Sequence, residues 1–200
     1  MNGRGFGTAK VLDGISAASE EGFSPIKINS VVKKGVNDHT LIDLARWCRE
    51  KGHIPRFIEY MDVGTLNGWK LDEVVSSKDV VDMISEVFPV QKDVPSYRGE
   101  VAKKYRYKDG KGEFGVISSV SQPFCGDCTR LRLTPEGMVV TCLFGENGTD
   151  LRGPIREGGT NDDLRNILTG VWNERKDRYS ELRTKMTKPT EKVEMYHIGG

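Results

Sequence analysis

Three cysteines form the sharpest chemical pattern in the sequence. Cys125 and Cys128 are separated by two residues, and Cys142 follows further along the chain. Thiolates at this close spacing can hold one soft metal ion or one cluster, and a short strand-turn-strand path can return the third sulfur beside them. The spacing therefore predicts a metal centre with three cysteine ligands.

The spacing alone leaves the identity of this centre open. A structural zinc site is usually closed by four protein ligands, but His39, His53 and His197 all lie far from the cysteines in sequence. An iron-sulfur cubane with one iron left open for substrate fits three thiolates. Zinc with a distant fourth ligand and a chain without metal are the alternatives. Cys48 lies on the apolar stripe of a predicted helix, which indicates a core residue.

Two arginines directly after the second cysteine predict an anion site. Arg130 and Arg132 flank Leu131 in a predicted strand, so both guanidinium groups are expected on one face of that strand. Guanidinium groups bind phosphate or carboxylate in a bidentate manner, and a triphosphate is the expected ligand. Two solvent-exposed strand arginines are the alternative interpretation.

The elements that must position these residues change in type along the chain. In the first part, apolar periodicity and capping residues predict helices at 11–22, 38–52 and 80–88 and strands at 26–32 and 54–61. This alternation is typical of βα units around a parallel sheet, in which ligands lie at the carboxyl ends of the strands. The second part contains short strand patterns at 105–108, 115–120, 130–134 and 139–144, then a helix at 162–179. We therefore expect an α/β chain whose later strands are antiparallel.

Composition and charge exclude several classes of function. Lys plus Arg (30) nearly balance Asp plus Glu (29), so the formal net charge is +1 and no overall charge favours nucleic acid or a membrane surface. No apolar run is long enough to span a bilayer, and the segment from Met1 to Lys10 lacks a secretory pattern. Clustered cysteines fit a reducing compartment. We therefore expect a cytoplasmic protein that binds neither nucleic acid nor membranes.

Taken together, the motifs resemble one known family. Five segments, in this order along the chain, are similar to the GTP 3′,8-cyclase family of molybdenum cofactor biosynthesis: residues 27–32, 56–61, 124–134, 142–144 and the terminal Gly199-Gly200. The resemblance implies a radical S-adenosylmethionine enzyme. It also implies the fold, namely the second half of an incomplete (βα) barrel at 1–95 and a strand-rich C-terminal iron-sulfur region at 96–200.

The resemblance further implies roles for particular residues. Cys125, Cys128 and Cys142 match the ligands of a second 4Fe-4S cluster, whose open iron binds the guanine of GTP. Further GTP contacts are matched by Lys27, Arg56, Arg130, Leu131 and Arg132. Met61 matches a position that contacts S-adenosylmethionine. Gly199 and Gly200 match a tail that the radical chemistry requires.

One part of the family pattern is missing from this sequence. The first 4Fe-4S cluster of the family is held by a C-x3-C-x2-C motif, which the four cysteines of this chain do not contain. We therefore interpret the chain as the C-terminal part of a cyclase, inactive alone, which needs an N-terminal half with its cluster and S-adenosylmethionine. The same resemblance implies that a homodimer partner could take the place of the N-terminal half and that a cyclic pyranopterin synthase acts downstream. In a eukaryote it implies a location in the mitochondrial matrix. A non-catalytic iron-sulfur or nucleotide-binding module and a zinc-stabilised domain are the alternatives.

Overall fold

The structure is a computed structural model that describes residues 7–64, 68–145 and 148–183. The helices are α1 (Ala9–Glu20), α2 (Leu41–Lys51), α3 (Ser77–Val87), α4 (Arg152–Arg156), α5 (Asn161–Asn173) and α6 (Tyr179–Leu182). The strands are β1 (Lys27–Val32), β2 (Ile54–Glu59), β3 (Val90–Lys92), β4 (Lys103–Tyr107), β5 (Glu113–Ile117), β6 (Arg132–Leu133), β7 (Met138–Val140) and β8 (Thr149–Asp150). Over these ranges, no helix has the length and apolar character needed to cross a membrane.

The chain divides into two compact units, each assembled from separate stretches of sequence. The sheet unit comprises Met1–Glu59, Val75–Ser96 and Ala102–Ile117. The cysteine unit comprises Tyr60–Val74, Tyr97–Val101 and Ser118–Gly200. The predicted domains, 1–95 and 96–200, are instead continuous stretches, and their boundary stays a prediction.

The sheet unit is built on one mixed sheet of five strands in the order β1-β2-β5-β4-β3. Strands β1, β2 and β5 run parallel to one another, whereas β4 pairs antiparallel with both β5 and β3. The expected α/β class is confirmed, and so is the antiparallel pairing of β4 with β5. The sheet does not close into a barrel within the part of the chain that the structure describes.

An apolar core lies between this sheet and helices α2 and α3. Its buried members are Val32, Leu41, Ala45, Phe57, Val75, Val80, Ile84, Tyr107, Phe114 and Val116. Burial of this kind is the main favourable contribution to folding. The capping signals in the sequence act as predicted, because the Ser76 hydroxyl accepts a 3.1 Å hydrogen bond from the Asp79 amide and Gly52 ends α2 with φ 72°.

Helix α1 occurs where the sequence predicts it, but its apolar stripe is not buried. Val11 and Leu12 are 60% and 42% exposed, and no residue of α1 is buried. Amphipathic periodicity therefore identifies the helix correctly without identifying a partner for its apolar face.

The cysteine unit contains a small antiparallel sheet, β6-β7-β8, and helices α4 to α6. Helix α5 begins with a capping box, in which Thr160 and Asp163 bond reciprocally. It ends at Asn173 rather than near 179, and the segment before α6 is held by side-chain contacts. Arg175 there donates a hydrogen bond to the Cys128 carbonyl. Tertiary contacts thus override the helical pattern of this segment.

Candidate functional site

Two backbone segments of the cysteine unit carry the three clustered thiols. Cys125 opens a short 3₁₀ turn, Cys125–Asp127, and the amide of Cys128 closes it by donating to the Cys125 carbonyl at 3.3 Å. Cys142 lies in a turn shortly after β7, where its carbonyl accepts a hydrogen bond from the Gly145 amide at 3.2 Å. All three cysteines are free thiols and partly buried.

The two segments meet at one cavity within the cysteine unit. Its lining comprises Cys125, Cys128, Cys142, Arg130, Arg175, Met61, Phe124, Phe144, Leu143, Ser119 and Ser180. The cavity therefore combines sulfur ligands, two guanidinium groups and aromatic rings. Such a mixture of apolar walls and a few polar groups is typical of a ligand site.

Their surroundings shift the pKa values of the Cys128 and Cys142 thiols in opposite directions. Burial raises the pKa of Cys128. Hydrogen bonds from the Arg130 backbone and side chain, together with the charges of Arg130 and Arg175, lower it by more, so the net pKa is lowered. Burial raises the pKa of Cys142, and the negative charges of Asp177 and Cys125 add to this. Cys128 is therefore the more readily deprotonated of the two, which suits a metal ligand.

Arg130 contacts the second cysteine directly. Its Nε donates a hydrogen bond to Cys128 Sγ at 3.4 Å, and its guanidinium lies 5.1 Å from the centre of the Phe124 ring. A thiol sulfur and an aromatic ring thus hold this arginine at the cavity wall, where it offers positive charge beside sulfur.

Arg132 lies on β6 opposite Val140, whereas Arg130 precedes that strand. The expected strand over 130–134 is therefore shorter in the structure. Burial lowers the pKa of Arg132 and the positive charge of Arg130 lowers it further, whereas the charges of Cys128 and Cys142 act in the opposite direction. Leu131 between them is 40% exposed and borders a groove along α5 with Trp172.

Arg175 and Asp177 also belong to this site, although the sequence analysis missed both. Arg175 Nη1 donates a 2.8 Å hydrogen bond to the Cys128 carbonyl oxygen. Asp177 accepts a hydrogen bond from the hydroxyl of Thr141, the residue before Cys142. Both lie in a run of charged residues whose pattern is typical of a solvated helix end, so no spacing signal distinguishes them.

A buried ion pair lies next to the cavity, beside Met61. Arg183 Nε is 2.8 Å from Asp62 Oδ1, and their side chains are only 6% and 8% exposed. The Tyr179 hydroxyl donates to Asp62 Oδ2 at 2.6 Å, and the Tyr179 ring stacks on Phe144, a cavity residue, at 4.2 Å. These contacts fix the residue directly after Met61, which lies two residues after β2 and lines the cavity.

Lys27 and Arg56 lie in the sheet unit, on neighbouring parallel strands. Residue alternation places both on the face opposite the buried Phe57, which packs into the core with α2 and α3. Asn29 is paired directly with Arg56, and Arg56 is paired with Gly115 on the other side. One face of the sheet thus carries two cations and an amide. Gly199 and Gly200, the other predicted site residues, lie outside the described residues.

The donor set of the cavity can be tested against the metal centre predicted from the sequence. Among the described residues, no three His, Cys, Asp or Glu side chains form a group that could hold a single metal ion. A cubane cluster instead binds each thiolate to a different iron, and the three thiols line one cavity. The cavity lining includes no described His, Asp or Glu that could close a four-ligand zinc site. By donor type and shared cavity, the residues fit an iron-sulfur cluster.

The chain is similar to members of one protein family. The model of the family described as Molybdenum Cofactor Synthesis C matches residues 54–181. Curated relatives named GTP 3′,8-cyclase include one from Acidothermus cellulolyticus, 51% identical over 86% of this chain and 49% of the relative. Others come from Synechococcus sp. strain WH7803, 43% identical over 96% of this chain and 55% of the relative, and from Staphylococcus haemolyticus, 42% identical over 100% and 60%.

The chain spans about half the length of the curated relatives that it matches. The family match covers both strand β2 of the sheet unit and all three cysteines of the cavity. The chain therefore belongs to the GTP 3′,8-cyclase family, as the resemblance in its sequence predicts.

Proposed function

We propose that this chain binds a 4Fe-4S cluster through Cys125, Cys128 and Cys142 and holds GTP beside it, as the substrate-binding part of a GTP 3′,8-cyclase. The observation that carries this proposal is the single cavity lined by three thiols and two guanidinium groups. When bound, a cluster with three protein ligands would supply one iron with an open position for an atom of the substrate.

The cations beside the thiols favour an anionic ligand. Arg130 and Arg132 are partly buried and lie two residues apart in the chain, so a bound anion would offset the cost of burying two positive charges. The rings of Phe124 and Phe144 provide apolar walls suited to a flat base. A nucleoside triphosphate combines both properties, and we assign it to Arg130, Leu131 and Arg132.

The sheet unit contributes a second set of cations. We propose that its five strands are part of the incomplete (βα) barrel and that Lys27 and Arg56 contact GTP from the face opposite α2 and α3. Their placement on one face of adjacent parallel strands supports this assignment. That both sets of cations contact the same nucleotide follows from the resemblance and stays a prediction.

The reaction named for the relatives joins the ribose C3′ of GTP to C8 of its guanine. This chain's residues would hold the two carbons of one nucleotide in reach of each other, which is a task of positioning. Met61 would contact S-adenosylmethionine, and Gly199 and Gly200 would complete the site. Because the chain has no C-x3-C-x2-C motif, we expect no cyclisation by this chain alone. Once the N-terminal half is supplied, we expect the product to pass to a cyclic pyranopterin synthase.

Metal content after anaerobic reconstitution tests the cluster assignment. We expect about four iron and four sulfide per chain, and loss of both when Cys125, Cys128 or Cys142 is replaced by Ser. Cys48→Ala is the matched control, because Cys48 is a fully buried core thiol of the sheet unit and does not line the cavity. Zinc alone would contradict the assignment and favour the zinc-stabilised alternative, and no bound metal would favour the metal-free one. Iron retained by Cys142→Ser would contradict the assignment of Cys142 as a ligand.

Calorimetric titration with GTP tests the anion assignment separately. Arg132→Ala is expected to keep the iron content and to weaken GTP binding about tenfold or more, since charge-assisted hydrogen bonds are lost. Arg156→Ala, an exposed arginine on α4, is the control and should bind as the unmodified chain does. Unchanged affinity in Arg132→Ala would contradict this assignment.

A further inference from the structure

A series of polar contacts links the two cysteine-bearing segments of the cavity. Arg175 Nη1 donates to the carbonyl oxygen of Cys128 at 2.8 Å, and Arg175 Nε lies 3.4 Å from Asp177 Oδ2. The same Asp177 oxygen accepts a hydrogen bond from the Thr141 hydroxyl. Thr141 immediately precedes Cys142. Two side chains from a third segment therefore connect the backbone at Cys128 to the residue beside Cys142.

The arginine of this bridge is held on several sides. Its side chain is only 12% exposed, and its guanidinium lies 5.2 Å from the centre of the Trp172 ring on α5. Both Arg175 and Asp177 occur where the chain leaves the helical path between α5 and α6. A planar guanidinium presents its donors in a fixed fork, so it fixes both the distance and the direction of the groups it contacts.

We propose that Arg175 and Asp177 are positioning residues that set the separation of the Cys128 and Cys142 thiols. The inference rests on the proposed function, in which both thiols hold one cluster, but the separation is a property of the polypeptide without metal. Neither residue needs to contact the cluster for this role. Arg175 lines the cavity as well, and a role only in binding an anion would not involve Thr141.

Thiol bridging in the metal-free chain measures this separation. Cys125→Ser and Cys48→Ala together leave two thiols, Cys128 and Cys142. Dibromobimane becomes fluorescent once it has bridged two nearby thiols, whereas monobromobimane reports the reactivity of each thiol alone. The rate of bridging divided by the rate of single-thiol labelling therefore reports the separation of the two thiols, because the acidity of the thiols affects both rates.

Variants at both ends of the bridge are expected to lower this ratio. We expect a decrease of about fivefold for Arg175→Ala and about twofold for Thr141→Val, in line with the hydrogen bonds each removes. Arg175→Lys keeps the charge but lacks the fork, and it should also lower the ratio. Arg165→Ala, which removes an exposed arginine of α5, is the matched control and should leave the ratio unchanged.

Each result decides the inference. An unchanged ratio in Thr141→Val would overturn it, since Arg175 would then act without the Cys142 segment. An unchanged ratio in Arg175→Lys would also overturn it, since charge alone would then suffice. If Arg175→Ala does not fold, as judged by circular dichroism, Thr141→Val still decides because it removes a single hydroxyl. Iron content measured on chains that keep Cys125 separates the two proposals: if the otherwise unmodified chain takes up no iron while the bridge variants lower the ratio, the positioning role is supported and the cluster is contradicted.

Discussion

The two units differ in what they bury. In the sheet unit the buried side chains are mainly apolar, with Phe57, Phe114 and Tyr107 in one cluster. In the cysteine unit the most deeply placed contacts include charges, such as the Arg183–Asp62 pair and the bond from Arg175 to the Cys128 carbonyl. Apolar burial is non-directional, whereas hydrogen bonds and ion pairs depend on distance and angle.

This difference indicates that directional polar contacts set the positions of individual atoms in the cysteine unit, whereas apolar packing in the sheet unit mainly provides compactness. The cavity lies in the unit whose strands are short and whose side chains contact backbone carbonyls, so its geometry depends on particular polar atoms. The sheet unit depends instead on filled volume. Substitutions that remove volume should therefore act mainly on the sheet unit, and substitutions that remove single polar atoms should act mainly on the cavity.

The largest expected effect is the loss of a core ring in the sheet unit. Phe114 is 0% exposed and lies among the rings of Phe57, Tyr105 and Tyr107. Phe114→Ala should lower the free energy of unfolding by about 3–5 kcal/mol, measured by urea denaturation. Phe23→Ala is the matched control, because Phe23 is 68% exposed and its loss should cost less than about 0.5 kcal/mol. Equal effects of the two would contradict the volume-based account of this unit.

The second effect is the loss of a buried charge in the cysteine unit. Arg183→Met keeps much of the side-chain volume but leaves the Asp62 carboxylate without its cation, and should destabilise by about 3 kcal/mol. Arg165→Met breaks an ion pair with Asp162 whose side chains are 70% and 80% exposed, so it should cost under about 0.5 kcal/mol. Urea denaturation again measures both. If Arg183→Met is as stable as Arg165→Met, apolar burial dominates here too and the contrast between the units fails.

The third effect concerns the backbone beneath the first cysteine segment. Gly99 has φ +82°, and a Cβ there would lie 2.7 Å from the carbonyl oxygen of Asp127. Gly112 has φ +95° with open space around it, so Gly112→Ala should cost only the strain of a left-handed residue, about 1–2 kcal/mol. Gly99→Ala adds a clash to that strain and should also lower the iron content after reconstitution. Equal iron content in the two variants would show that the segment tolerates displacement.

Part of this arrangement is predictable from the sequence, because local signals determine it. The Ser76 and Thr160 caps, the Gly52 terminus and the alternation in β1 and β2 each depend on neighbouring residues. The three cysteines are recognisable because metal ligands require a narrow set of residue types. The core assignment of Cys48 is confirmed, and burial raises the pKa of its thiol to about 12.

The remainder depends on contacts between residues distant in sequence. Strand β5 lies between β2 and β4, so one sheet joins strands from both predicted domains, 1–95 and 96–200. No periodicity in the sequence predicts that order. Arg175 donates a hydrogen bond to the carbonyl of Cys128, and Tyr179 donates one to the carboxylate of Asp62, although both pairs are distant in sequence. In the sequence these residues form part of an ordinary charged helix end. Their roles become visible only when the backbone brings them to the cavity.

The smallest expected effect is on the acidity of one thiol, and it tests how far a single polar contact acts. Burial raises the pKa of Cys128, but the hydrogen bonds and charge of Arg130 outweigh it, so the net pKa is lowered. Alkylation by iodoacetamide follows the thiolate, so in a metal-free chain whose sole cysteine is Cys128 it should begin at lower pH than for a free thiol. Arg130→Gln should move this profile to higher pH. The control is Arg98→Gln, whose arginine is 88% exposed and pairs with Asp127 rather than with sulfur. A shift of equal size in both variants would assign the acidity of Cys128 to general positive charge, whereas a shift confined to Arg130→Gln would assign it to the contact at 3.4 Å.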